Sequence, residues 1–175
     1  MDRQGGCAAC VAGQAGKSLS KLFLVMANTY TQLYVHLVFA VKNRAASVPE
    51  SVRDEVQKYL CGIAQNAGHK PLAIYCMPDH LHLLVGLNPD HTIAELVRLL
   101  KANSSKWLNE NKLLPHRFEW QRGYGAFSYA RSQLDAVVNY ILTQPAHHQK
   151  ISFQEEYIAF LERFGIAYDT SYLFD

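Results

Sequence analysis

The sequence predicts an α+β protein, a ferredoxin-like antiparallel sheet with helices on one face. Apolar residues alternate over 30–41, which is typical of a half-buried strand. Two apolar runs, 71–76 and 80–87, flank a Met-Pro-Asp turn and predict a hairpin. Helical apolar spacing separates and follows these strands. The predicted order is therefore strand, helix, strand, strand, helix, strand, helix, helix.

The first strand and the first helix are indicated by their apolar spacing. Val35, Leu37, Phe39 and Val41 lie on one face of the strand, and Tyr34, His36 and Val38 lie on the other. Helical spacing then runs over 52–67. Gly68 follows it and closes the helix, because glycine readily adopts the left-handed conformation found at helix ends.

The hairpin carries a candidate metal site. His80 and His82 flank Leu81, so both imidazoles project from one strand face while Leu81 points the other way. Two imidazoles at this spacing can bind one divalent metal ion. A strand whose histidines are held only by hydrogen bonds is the alternative. Asp79 either orients an imidazole or simply forms the turn.

The second half of the chain predicts three helices and a short strand region. A helix capped by Thr92 runs to about residue 110. Short strands around a turn follow over 117–129, where two glycines interrupt the pattern. A helix starts at about Ser132, Pro145 ends or kinks it, and a last helix spans about 153–164.

The helix before Pro145 carries a second candidate motif. Its apolar stripe consists of Leu134, Val137, Val138 and Ile141. Tyr140 and Gln144 are four residues apart and share a face beside this stripe, which presents a phenol and an amide oxygen together. Packing is the commoner use of such a tyrosine. Tyr124 and Tyr129 compete with Tyr140 as nucleophiles, but neither has a potential ligand one turn later.

Four stretches, 30–42, 77–85, 100–107 and 118–129, carry a family resemblance. Over 29–175 the chain resembles the small single-tyrosine transposases of bacterial insertion sequences, including transposase A and the REP-associated tyrosine transposases, members of the HUH (His-hydrophobic-His) nuclease superfamily. The resemblance implies a ferredoxin-like (RRM-like) fold of the HUH type. It also implies a DNA transposase that recognises subterminal hairpins and cleaves and transfers single-stranded DNA through a 5′-phosphotyrosine.

The resemblance also bears on the site and the assembly. Tyr140 stands at the family's nucleophile position. A divalent metal held by His80, His82 and Gln144 is expected to polarise the scissile phosphate, and mixed nitrogen and oxygen ligation suits Mg²⁺ or Mn²⁺. A homodimer with sheets joined edge to edge is implied, and the apolar first strand is compatible with such an edge.

The DNA prediction depends on local basic clusters, because the formal net charge is only +2. Lys42 and Arg44 end the first strand. Arg98, Lys101 and Lys106 recur along one predicted helix and are expected to contact phosphates.

The domain prediction divides the chain at residue 27. Residues 28–175 are expected to form one transposase domain. Residues 1–27 are rich in Gly, Ala and Ser, and are expected to be a disordered extension or to reflect a misassigned start. No apolar run approaches the roughly 20 residues that span a bilayer. No membrane or small-molecule partner is expected, and the predicted location is the cytoplasm, at the nucleoid when the protein acts on DNA.

Two other function classes remain open from the sequence. The first is a DNA-hairpin-binding or host-adapted relative without mobility. The second is a metal-dependent hydrolase that uses the His pair with water as nucleophile, and it would not need Tyr140. His147 and His148 could approach a metal or a phosphate, although surface positions are expected for both.

Overall fold

The computed structural model describes residues 30–44 and 48–174. Its strands are β1 (Tyr34–Ala40), β2 (Lys70–Cys76), β3 (His80–Gly86) and β4 (Gly125–Tyr129). Its α-helices are α1 (Glu50–Asn66), α2 (Ile93–Glu110), α3 (Leu134–Leu142), α4 (Gln144–His147) and α5 (Phe153–Arg163). The predicted order is confirmed, with the short α4 added. The extension predicted over 1–27 lies outside the described residues.

The four strands form one antiparallel sheet in the order β2-β3-β1-β4. The ferredoxin-like α+β class is thereby confirmed. The expectation that the first strand offers an edge to a second copy is wrong, because β1 is hydrogen-bonded to β3 on one side and to β4 on the other. Its continuous burial over 35–40 follows from this interior position. The edges of the sheet are β2 and β4.

One face of the sheet is covered by α1 and α2. Leu37 of β1 and Leu81 and Leu83 of β3 pack there with Leu60 of α1 and Leu100 of α2. Leu81 and Leu83 are residues that alternation along the histidine strand assigns to the core. The main hydrophobic cluster therefore lies on the side of β3 that faces away from the two histidines.

The second face is covered as well, which adds to the one-sided arrangement expected from the sequence. Leu84 packs against α3, and Val38 packs against Phe160 of α5. His80 and His82 project from this face and are buried beneath the two helices. The helices after β4 thus cover the histidine pair.

Helix ends follow the predicted chemistry. Thr92 and Glu95 form a capping box at the start of α2, where the sequence predicts a cap. Gly68 has a φ of 76° directly after α1, the left-handed conformation that suits glycine at a helix end. In the described parts of the chain, no helix combines the length and apolar character that crossing a membrane requires.

Candidate functional site

His80 and His82 lie side by side on β3, with exposed fractions of 1% and 0%. Nδ1 of His80 donates to Oδ1 of Asp79 at 2.8 Å. Nδ1 of His82 lies 3.0 Å from Nε2 of His36 on β1. Asp79 therefore orients an imidazole in addition to forming the turn. The two contacts leave Nε2 of each ring directed into the space beneath α3 and α5.

The helix that carries Tyr140 ends earlier than predicted. It stops at Leu142, and Gln144 begins α4, because Pro145 has no N–H for the next helical hydrogen bond. The two side chains nevertheless meet the same group. Nε2 of Gln144 donates to Oε1 of Glu156 at 2.9 Å, and the Tyr140 hydroxyl donates to the same oxygen.

Glu156 of α5 joins these residues to the histidines. Its Oε2 lies 3.3 Å from Nε2 of His82, 3.3 Å from Nε2 of His148 and 4.0 Å from Nε2 of His80. The ligand atoms of these four residues all lie within 4.8 Å of one another. Donor atoms at 2.0–2.2 Å from one ion are themselves roughly 3–4 Å apart, so this His/Glu cluster could hold a metal ion.

Five buried nitrogen and oxygen atoms of the site have no hydrogen-bond partner among the described residues. They are Nε2 of His80, His82 and His148, Oε1 of Gln144 and Oε2 of Glu156. Nδ1 of His148 donates to the carbonyl of Ile151 at 3.0 Å, so Nε2 carries a lone pair when the ring is neutral. A buried polar atom without a partner costs about 1–3 kcal/mol. Four of these atoms belong to the His/Glu cluster, whose ligand atoms lie within 4.8 Å of one another, and such a group fits a bound cation.

Burial and mutual charge set the protonation of this cluster. Burial lowers the pKa of His80 to about 4. Burial by itself would lower the pKa of His148, but the Glu156 carboxylate beside it raises this pKa instead. Burial by itself would raise the pKa of Glu156, but His148 and His82 hold it well below its usual range. At neutral pH His80 is neutral and Glu156 is ionised, the forms that bind a cation.

Tyr140 is half-buried beside the cluster. Its hydroxyl donates to Oε1 of Glu156 and lies 3.3 Å from Nε2 of His147. Burial raises the pKa of the phenol far above its usual value, and the neighbouring carboxylate raises it further. The phenol is therefore protonated at neutral pH, and its proton already points at an acceptor.

The competing tyrosines have other contacts. The ring centroid of Tyr124 lies 5.8 Å from Nζ of Lys101. Tyr129 packs edge-on against Phe164, with 5.5 Å between ring centroids. Of the three candidate tyrosines, only Tyr140 makes a hydrogen bond to a residue of the cluster.

Lys101 has a structural use. Its Nζ donates to three backbone carbonyls, those of Gln121, Arg122 and Gly123, at 2.8, 3.2 and 2.6 Å. Nζ also lies 5.0 Å from the ring centroid of Phe39, and burial lowers the pKa of the amine to about 8. All three N–H donors are engaged, so the ammonium is not available to a phosphate, contrary to the prediction.

Two of the other basic residues predicted to bind DNA lie on the opposite side of the sheet from the cluster. Arg98 and Lys106 are exposed on α2, which covers the opposite face of the sheet. Lys42 pairs with Glu119 at 2.7 Å, and Arg44 ends the 3₁₀ turn that follows β1. A DNA molecule that contacts both α2 and the cluster must reach around the sheet.

Sequence reasoning missed Glu156 and expected a surface position for His148, which contributes a buried nitrogen instead. Glu156 is 2% exposed and stands on the buried stripe of α5 between Phe153 and Phe160. An acid at an apolar position of an amphipathic helix is rarely buried without partners. That position is the signal from which this residue could have been found.

Known transposases are similar to this chain. The profile of the family described as IS200-like transposases matches residues 29–144. The chain is 35% identical over 75 residues to the ISDra2 transposase TnpA of Deinococcus radiodurans, which covers 43% of this chain and 54% of that protein. The chain thus spans about half the length of the curated relative that it matches.

Two solved structures have similar folds. A crystal structure described as a transposase from Deinococcus radiodurans R1 matches with a TM-score of 0.55 and 28% identity, over 67% of this chain and 95% of that chain. A REP-associated tyrosine transposase bound to a REP hairpin matches with a TM-score of 0.55 and 14% identity, over 76% of each chain, which shows the fold alone. Helix α5, which carries Glu156, lies beyond the residues that the family profile matches.

Proposed function

The chain belongs to the IS200-like transposase family, and we propose that it is a metal-dependent single-tyrosine transposase of the HUH type. In this proposal it cleaves single-stranded DNA and transfers the strand through a 5′-phosphotyrosine on Tyr140. The observation that carries the proposal is the convergence of three imidazoles and one carboxylate, with ligand atoms within 4.8 Å of one another, beside the Tyr140 hydroxyl. A nucleophile next to a cation site is the arrangement that phosphodiester cleavage needs.

The proposed metal ligands are His80, His82 and Gln144, and the cluster adds His148 and Glu156. Three imidazole nitrogens and two oxygens suit Mn²⁺ better than Mg²⁺, because Mg²⁺ prefers oxygen ligands. A divalent cation bound there would polarise the scissile phosphate and stabilise the charge that develops on it.

Tyr140 supplies the attacking oxygen. Its Oη forms a bond to phosphorus while the bond from phosphorus to O3′ breaks. Oε1 of Glu156 accepts the phenol proton, because the hydrogen bond to it already exists. The leaving O3′ takes a proton from solvent water and becomes a hydroxyl, and Glu156 returns the phenol proton to solvent. Since the phosphotyrosine keeps the energy of the broken bond, the 3′-hydroxyl of another strand can reverse the step and complete the transfer.

The proposed substrate is single-stranded DNA that carries a hairpin. The half-buried Tyr140 hydroxyl needs an accessible phosphate, which an unpaired strand supplies. A similar transposase is described as bound to a REP hairpin. Arg98 and Lys106, with Lys42 and Arg44, are the proposed phosphate contacts.

The proposed assembly is a homodimer, acting in the cytoplasm at the nucleoid. Because β1 is interior, a contact between sheets would use β2 or β4 rather than the first strand. Light scattering at micromolar concentration should give about twice the chain mass. A strictly monomeric protein that still transfers strands would remove this part of the proposal.

Formation of a covalent adduct tests the proposed chemistry. Labelled single-stranded hairpin DNA, incubated with the protein and Mn²⁺ or Mg²⁺, should give a protein–DNA adduct that survives detergent. Tyr140→Phe should abolish the adduct, whereas the matched controls Tyr124→Phe and Tyr129→Phe should retain it. An adduct that persists without the Tyr140 hydroxyl would show that another residue is the nucleophile. Cleavage without any adduct would favour a hydrolase that uses water.

A further inference from the structure

A slot between α3 and α5 opens beside the candidate nucleophile and encloses about 460 Å³. Gln133, Ala136 and Tyr140 line one wall at helical spacing, and Glu156, Ala159 and Arg163 line the other. Positions 133 to 140 and 156 to 163 each correspond to about 10 Å of helix. Tyr140 meets Glu156 at one end of the slot. At the other end burial raises the pKa of Tyr129, and Arg163 is close enough to oppose this rise, so the two walls run antiparallel.

Small side chains and aromatic rings shape the slot. Ala136 and Ala159 contribute only a methyl group each from opposite walls, while Tyr129 and Phe160 supply aromatic surface. Such a slot accepts a flat ring. Its volume falls in the range of roughly 300–1,000 Å³ that is usual for small-ligand sites. Aromatic side chains stack on nucleobases with little dependence on sequence.

The charges along the slot suit a nucleotide. Arg163 is exposed and lines the end of the slot opposite Glu156. Glu156 is the one acid among the lining residues; it is buried at the far end, where its Oε1 accepts hydrogen bonds from Tyr140 and Gln144. A ligand with an apolar flat ring and an anionic group is therefore favoured over a neutral apolar one.

We propose that this slot binds one unstacked nucleobase of the strand whose phosphate Tyr140 attacks; the identity of this ligand depends on the proposed function. A base held against the wall that carries Tyr140 brings an adjoining phosphate to the hydroxyl and restricts its motion. A base within a duplex is paired and stacked and cannot enter without being extruded. The slot thus selects unpaired DNA at the point of cleavage.

Filling the slot tests this proposal. Ala159→Leu and Ala136→Leu each narrow it from one wall, both at exposed helical positions where leucine is compatible with the helix. Ala94→Leu makes the same change at an exposed position of α2 and is the matched control. All three are built on Tyr140→Phe, so that no bond exchange occurs. The probes are a 12-nucleotide oligo-dT and its fully abasic counterpart, measured by fluorescence anisotropy.

The parent should bind oligo-dT about 5- to 150-fold more tightly than the abasic strand, the range given by one stacked base. Ala159→Leu and Ala136→Leu should lose most of this preference without losing affinity for the abasic strand, while Ala94→Leu keeps it. The proposal would be overturned if Ala159→Leu and Ala136→Leu both unfold at the same temperature as the parent and bind oligo-dT with the same affinity. Adduct formation by the wild type is measured separately. Base binding in the slot can therefore be refuted while Tyr140 is confirmed as the nucleophile, or the reverse.

Discussion

Removing the Glu156 carboxylate should remove most of the stabilisation that Mn²⁺ gives to this protein. At Mn²⁺ 100-fold above its Kd, binding to the folded state adds about 2.7 kcal/mol. For a chain of this length that is a rise in Tm of roughly 5–11 °C. Glu156→Gln replaces an anionic ligand with a neutral one, and affinity should fall on the order of 100-fold. At the same Mn²⁺ concentration the gain is then about 0.4 kcal/mol, or roughly 1–2 °C.

Thermal unfolding followed by circular dichroism, with and without Mn²⁺, measures this difference. Glu162→Gln is the matched control, because it makes the same charge change at an exposed position of the same helix. Calorimetric titration with Mn²⁺ alone gives the affinities independently of DNA cleavage. A wild-type Tm that does not respond to Mn²⁺, or equal shifts for the two variants, would refute a metal site that includes Glu156.

Three more outcomes are expected. His80→Ala combined with His82→Ala should abolish adduct formation while far-ultraviolet circular dichroism stays unchanged; undiminished cleavage would end the metal assignment. Burial lowers the pKa of His80 to about 4, whereas the unfolded chain binds this proton near pH 6.5. The free energy of unfolding should therefore fall by about 3 kcal/mol as the pH drops from about 6.5 to 4; urea unfolding of the metal-free protein should show this loss, and His80→Gln should reduce it. Lys101→Met should destabilise the fold by about 1–3 kcal/mol and leave the salt dependence of DNA binding unchanged, whereas Arg98→Ala and Lys106→Ala should each reduce the salt slope by about 1.

Local geometry explains what the sequence predicts well. Alternation along a strand places His80 and His82 on one face whatever their neighbours are, and the structure has them so. The Thr92 cap depends on residues within one turn, and it is also present. Gly68 closes α1 for an equally local reason. These features were predictable because each depends on a few adjacent residues.

Features that depend on distant parts of the chain were not predictable. The alternation of β1 is equally compatible with an edge or an interior strand, and only pairing with β4 makes it interior. Lys101 occurs at a helical spacing typical of surface residues, but its ammonium donates to backbone carbonyls of the loop that contains Gln121 and Gly123. The apolar position of Glu156 on α5 signals that it is buried, but its contact with the histidines depends on α5 folding back over β3, which no local pattern encodes.

The most direct test of the account is to locate the covalent bond. Mass spectrometry of the adduct, after nuclease and protease digestion, should find the nucleotide on Tyr140, linked through a 5′-phosphate. The other product should end in a free 3′-hydroxyl, because the bond to O3′ is the one that breaks. A nucleotide on Tyr124, Tyr129 or a histidine, or a linkage through a 3′-phosphate, would contradict the mechanism proposed from this site.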